Sequence, residues 1–102
     1  MVEVIHWQQG SKPSEAVIRK VLADEGLQAY SWSNGPHDVY GVHDHPYHKV
    51  IYVVEGSITF VLPDLDQRLV LREGDRLGLP PRTGHGAQVG PDGVVCLEAH
   101  IG

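Results

Sequence analysis

An all-β domain with one short N-terminal amphipathic helix is the fold class this sequence predicts, and three observations predict it. Twelve glycines and seven prolines in 102 residues require frequent turns. From residue 28 onward, short β-prone runs alternate with Gly, Pro and Asp clusters at spacings typical of sandwiches and barrels. A hydrophobic fraction of 41% against 21% charged is an ordinary globular balance, which excludes a disordered chain. The length fills one core and no second one, so residues 1–102 are read as a single domain with the barrel core over 38–101.

The helix is predicted over 14–26. Ser14 is its N-cap, Val17, Ile18, Val21 and Leu22 recur at helical spacing, and Gly26 stands at the C-terminal stop before Leu27. Arg19, Lys20, Asp24 and Glu25 form the polar face of what reads as a packing helix. The runs 49–54 and 57–62 flank Glu55-Gly56, read as a tight hairpin turn. Runs at 68–71 and 76–79 follow, separated by Glu73-Gly74-Asp75, then 85–89 and 94–101 around Gly90-Pro91-Asp92-Gly93. Ile58, Phe60 and Leu62 alternate with Thr59 and Val61, giving one apolar face. Residues 50–54 are apolar on both faces, as in a central strand or one lying against a second subunit, and homodimerisation is expected on that ground.

Charge and cysteine content exclude several function classes. Eight Lys plus Arg against 13 Asp plus Glu give a net charge of −5 with no basic block, which argues against a nucleic-acid partner. Cys96 is the one cysteine and lies in an apolar run, so a buried thiol in a reducing, cytoplasmic setting is expected. The first residues carry no basic segment followed by an apolar stretch, and no run approaches the ~20 apolar residues of a membrane helix.

Seven histidines remain to be explained. His43 and His45 are separated by one residue, so on an extended chain both project from one face about 7 Å apart and can converge on one metal ion. His48 and His85 also fall beside predicted barrel strands, whereas His6, His37 and His100 are expected to be exposed or hydrogen-bonded.

These residues carry a family resemblance. His43-x-His45, Lys49 and Gly56 follow the spacing of the first cupin motif, and Gly74, Pro80 and His85 follow that of the second. The sequence therefore resembles a small single-domain cupin. The resemblance implies a jelly-roll β-barrel with a single divalent transition metal (iron, nickel, manganese, zinc or copper) at its mouth, held by His43, His45 and His85. The sequence departs from the motifs at Lys49, where the family usually has a glutamate ligand, at Arg82, where it has glycine, and at Val89, where it has asparagine.

Lys49 is a poor ligand, because removing its proton at neutral pH costs about 4.6 kcal/mol from a reference pKa near 10.4. The site then either has three histidines with open positions or recruits His48. The even step from His45 to 49 favours the first, unless the Pro46-Tyr47 turn resets the parity. On the last strand Val95, Leu97, Ala99 and Ile101 share one face and Glu98 and His100 the other. The default reading exposes Glu98 to solvent; the alternative turns it inward with Lys49 as its charge partner. Tyr40, Tyr47, Trp32 and Phe60 are candidates for a cavity wall, and Lys49 or Arg82 for a clamp on a substrate carboxylate. Three function classes are compatible with this pattern. One is a metal-dependent oxygenase, or an isomerase or lyase, acting on a small organic molecule. The second is a non-catalytic module binding a metal or small molecule. The third is a barrel that serves only to dimerise.

Overall fold

Among the described residues, 1–101 of a computed structural model, the sequence pattern resolves into seven strands, one α-helix and a single 3-10 turn at Pro63–Leu65. In chain order these are β1 (Glu3–Ile5), α1 (Glu15–Asp24), β2 (Tyr30–Asn34), β3 (Val39–His43), β4 (His48–Leu62), β5 (Gln67–Arg72), β6 (Arg76–Leu79) and β7 (His85–Ile101). β4 and β7 form the spine, paired antiparallel from His48 opposite Ile101 to Val61 opposite Gly86. Each half of the spine takes its own neighbours. β6 pairs with residues 49–52 and β5 with 57–62, while β2 pairs with 94–98 and β3 with the start of β7. β1 extends the sheet beyond β6.

The two halves of the bent spine share one interior. Ile51 and Val53 from the first half of β4 meet Ile58, Phe60 and Leu62 from the second, together with Leu77 and Cys96. The predicted alternation of 58, 60 and 62 is therefore the inner face. The outward side of 50–54 is covered within the chain, because Val50 and Val54 pack with Ile18 and Leu22 of α1. That accounts for a strand apolar on both faces without a second subunit. The helix is capped as its sequence requires: Ser14 accepts from the Val17 N–H, and Gly26, with φ of 78°, lets the Gly26 and Leu27 N–H groups return to Ala23 and Leu22.

Three expectations need correction. Glu55-Gly56 is not a hairpin turn. β4 runs straight through it, and the register with β7 shifts on either side, a bulge that bends one long strand. Gly90-Pro91-Asp92-Gly93 likewise lies inside β7 instead of dividing two strands. The sheet also takes in residues before 38, since β1 and β2 belong to it.

The N-terminal segment is strapped to the sheet by the buried Asp75. Its carboxylate accepts from the Trp7 N–H at 2.8 Å and the Arg72 N–H at 2.9 Å and lies 3.0 Å from His6 Nδ1. Burial alone would raise its pKa, but these donors outweigh burial and hold the carboxyl below its ordinary value of 3.8. A depressed folded-state pKa contributes stability above the unfolded value, lost as pH falls through the folded one. Asp75→Asn should therefore cost about 1–3 kcal/mol at neutral pH. Urea unfolding at several pH values should show its gap to the wild type narrowing below the ordinary carboxylate range.

Candidate metal centre

His43 closes β3 and His85 opens β7, and the two are direct cross-strand partners, the arrangement that brings side chains closest in an antiparallel pair. His45 follows just beyond β3, where its carbonyl accepts from the Arg82 N–H at 2.7 Å. The ring centroids lie 4.5 Å apart for His43 and His85, 4.8 Å for His43 and His45, and 5.6 Å for His45 and His85. One nitrogen from each ring lies within 4.8 Å of the others. An ion at ordinary zinc–nitrogen lengths would need about 3.3 Å between ligand nitrogens, so the rings would have at most about 1.5 Å to close.

The hydrogen bonds of the rings suit ligation. His43 Nδ1 and His85 Nδ1 each lie 2.8 Å from a carbonyl oxygen, of Gly41 and Thr83 respectively. A carbonyl only accepts, so both Nδ1 atoms carry the proton and each Nε2 presents a lone pair. His45 Nδ1 lies 3.2 Å from the Tyr47 hydroxyl, and His45 Nε2 is buried with no hydrogen-bond partner. An orphaned buried imidazole nitrogen aimed at two other rings is what a metal would satisfy. Burial and the nearby Lys49 charge push His45 below its ordinary pKa. Burial does the same to His85 against the Thr83 hydrogen bond, with His43 and Lys49 adding to it. Both rings are thus held in the neutral form that a metal requires.

The triad opens onto a cavity of about 330 Å³ with Ile51, Ile58, Phe60 and Ala87 as apolar walls. At its inner side is a buried carboxylate, Glu98, only 4% exposed. The Trp32 indole N–H donates to Oε1 at 3.0 Å; the Tyr30 hydroxyl donates to Oε2, with His100 Nε2 at 2.8 Å and Lys49 Nζ at 3.3 Å from the same oxygen. Burial would raise the Glu98 pKa, but the bonds from Tyr30 and His100 and the charge of Lys49 prevail and keep it ionised below its ordinary range. His100 also stacks on Tyr47 with centroids 3.9 Å apart, which stiffens this wall.

Sequence reasoning located part of this. His43, His45, His85, Lys49, Tyr40, Tyr47, Trp32 and Phe60 all line the cavity. Three expectations fail or reverse. His48 faces a separate depression beside Glu3 and Arg76, because the even step from His45 to Lys49 is kept and 48 falls out of phase. Arg82 has a side chain 70% exposed, pairs loosely with Asp44 at 3.5 Å, and lines a different surface hollow. Glu98 takes the inward alternative and not the solvent-exposed default, because the face of 95, 97 and 99 is turned toward α1. Tyr30 was missed as a wall residue. The signal was the Tyr30-Ser31-Trp32 alternation, which sets Tyr30 opposite Glu98 and Trp32 opposite Cys96. Cys96 is core filler as expected, its thiol pushed up to about 12 by burial and by Glu98.

Residues 32–98 match the cupin domain family, a span that contains the histidine triad, Lys49 and Glu98. The chain belongs to the cupin family. Among solved structures, this cupin is similar to an RmlC-like cupin from Shewanella frigidimarina NCIMB 400, with 30% identity, a TM-score of 0.63, and coverage of 72% of this chain and 64% of that one. It is similar to the polyketide cyclase RemF from Streptomyces resistomycificus at 26% identity and a TM-score of 0.64, covering 72% and 54%. It is also similar to KdgF from Halomonas sp. at 28% identity and a TM-score of 0.61, covering 72% and 67%. The chain spans less than two thirds of the length of the first two. No curated protein matches significantly. Among the described residues no helix is long and apolar enough to cross a membrane.

Proposed function

We propose that this cupin, read as a jelly-roll barrel, is a mononuclear metal-dependent enzyme acting on a small organic molecule, with His43, His45 and His85 as the ligands. The observation that carries the proposal is the convergence of three imidazoles, one of them with a buried and unpartnered Nε2, at the mouth of a walled cavity. A divalent ion held there would supply Lewis-acid polarisation of a substrate oxygen. The protein's part is the rest. The carbonyls of Gly41 and Thr83 fix the ring orientation. Ile51, Ile58 and Phe60 exclude water from the substrate body, and an ionised Glu98 anchors the wall residues Tyr30 and Trp32 and, behind them, His100. The similarity to a protein named as a polyketide cyclase supports isomerase or lyase chemistry over oxygen insertion, since a cyclisation needs no oxidant.

Elemental analysis of protein made without a histidine tag, then reconstituted with iron, nickel, zinc and manganese in turn, tests the reading. About one divalent ion per chain is expected for the best of these metals. Occupancy well below that for every metal would overturn it. A bound ion without turnover on any small polar substrate would leave a binding module in its place.

A further inference from the structure

We propose that Lys49 is the anchor for an anionic substrate, so that the cavity takes a small organic acid with its carboxylate on the lysine and its body against the apolar walls. This rests on the reading of the cavity as a substrate site and adds the substrate's charge class to it.

The argument starts from an incompletely satisfied ammonium. Lys49 is only 8% exposed and lines the cavity, and among the described residues around that cavity it is the only lysine or arginine. A buried ammonium has three donors to satisfy. Its one close partner is Glu98 Oε2 at 3.3 Å, longer than the 2.7–2.9 Å typical of a charge-assisted bond. That oxygen is already engaged by the Tyr30 hydroxyl and by His100 Nε2 at 2.8 Å, and the other carboxylate oxygen by Trp32. Glu98 therefore balances the charge of Lys49 without filling its hydrogen-bonding capacity. The triad imidazoles line the same cavity, with one nitrogen of each ring within 4.8 Å of the others. Glu98 Oε2 is the only carboxylate oxygen within ion-pair distance of Lys49 Nζ, so the ammonium has N–H donors to spare for an acceptor that enters the cavity.

Charge decides which acceptor. Lys49 is the one lysine or arginine of the cavity lining among the described residues and Glu98 the one carboxylate, so the Lys49–Glu98 pair sums to zero. A divalent ion on three neutral imidazoles would then leave the cavity with its full positive charge, which an anionic ligand offsets and a neutral one does not. Arg82, the other candidate clamp, is outside the cavity. The walls set the size: at about 30 Å³ for each water-sized unit, the 330 Å³ cavity holds a molecule of roughly ten non-hydrogen atoms.

Matched acid and amide pairs (benzoate with benzamide, hexanoate with hexanamide) separate charge from shape. Calorimetry on the metal-free and the metal-loaded protein should show the wild type binding the better acid at least tenfold more tightly than its amide. Lys49→Met should abolish that preference in the metal-free protein, and Lys49→Arg should retain most of it. If Lys49→Met does not fold, the double variant Lys49→Met with Glu98→Gln removes both charges at once and gives the same readout. An acid preference that survives either variant in metal-free protein, or the absence of a preference in every pair for the wild type, overturns the proposal. Because the metal-free arm needs no bound ion, a protein that binds no metal would defeat the enzymatic reading while the role of Lys49 is judged on its own.

Discussion

His85→Ala is expected to lower the affinity for a divalent ion by at least a hundredfold, ~2.7 kcal/mol. His85 is the most buried of the three rings, 3% exposed, and its Nδ1 is fixed on the Thr83 carbonyl, so it contributes a pre-oriented lone pair that solvent does not replace at equal cost. His43→Ala and His45→Ala should each lose a similar order. His48→Ala should change affinity by less than about twofold, since His48 faces the depression lined by Glu3 and Arg76 on the other side of β4. A competition titration of zinc against a chromophoric chelator reads all four variants, with circular dichroism confirming that each is folded. Equal affinity across the three triad variants and the wild type would place any bound ion elsewhere.

The triad was legible because its information is local. His43-x-His45 on an extended segment fixes two rings on one face, and the spacing from Pro80 to His85 fixes the third relative to its own loop. Lys49 was legible for the same reason, as an even step on one strand. Glu98 was harder. Period-two alternation says that 98 and 97 face opposite ways but not which way is inward, and the deciding fact is non-local: α1 covers the side of 97 and 99. Arg82 shows the limit from the other direction. Its place in the motif suggests a cavity residue, yet its backbone has φ of 62°, a left-handed turn where the family pattern has glycine, and that turn carries the side chain to the surface.

The strand ends were misread where glycine was taken as a stop. Glu55-Gly56 between two apolar runs is a sound local signal for a turn, and the sequence around it does not say whether the chain reverses or only bends. It bends, because both halves of β4 pair with one uninterrupted partner, β7, and a reversal at 55–56 would have paired 49–54 with 57–62 instead. Gly90 to Gly93 on β7 lies opposite the same bend, so the two glycine clusters are one feature: the place where the whole spine folds over its core.

Gly56→Ala should accordingly be among the most damaging single substitutions in the chain, at least ~3 kcal/mol. Gly56 has φ of 78°, a conformation that costs any L side chain, and an added Cβ would lie 2.9 Å from the Gly93 carbonyl carbon and closer still to its oxygen. Neither partner is the end of a flexible side chain; both are backbone, so relief requires opening the β4–β7 pairing at the bend. The Gly56 N–H is also committed, donating to Glu73 Oε2 at 2.9 Å, which resists any local rotation. Gly10→Ala provides the control, since a Cβ there meets nothing within 4 Å, and its effect should stay within about 0.5 kcal/mol. Urea unfolding of the three proteins gives the comparison. A loss below about 1 kcal/mol for Gly56→Ala would mean that the bend does not bring residues 56 and 93 into contact. The bend also bears on the candidate metal site, because the second half of β4 carries Phe60, whose ring centroid lies 6.4 Å from that of His85.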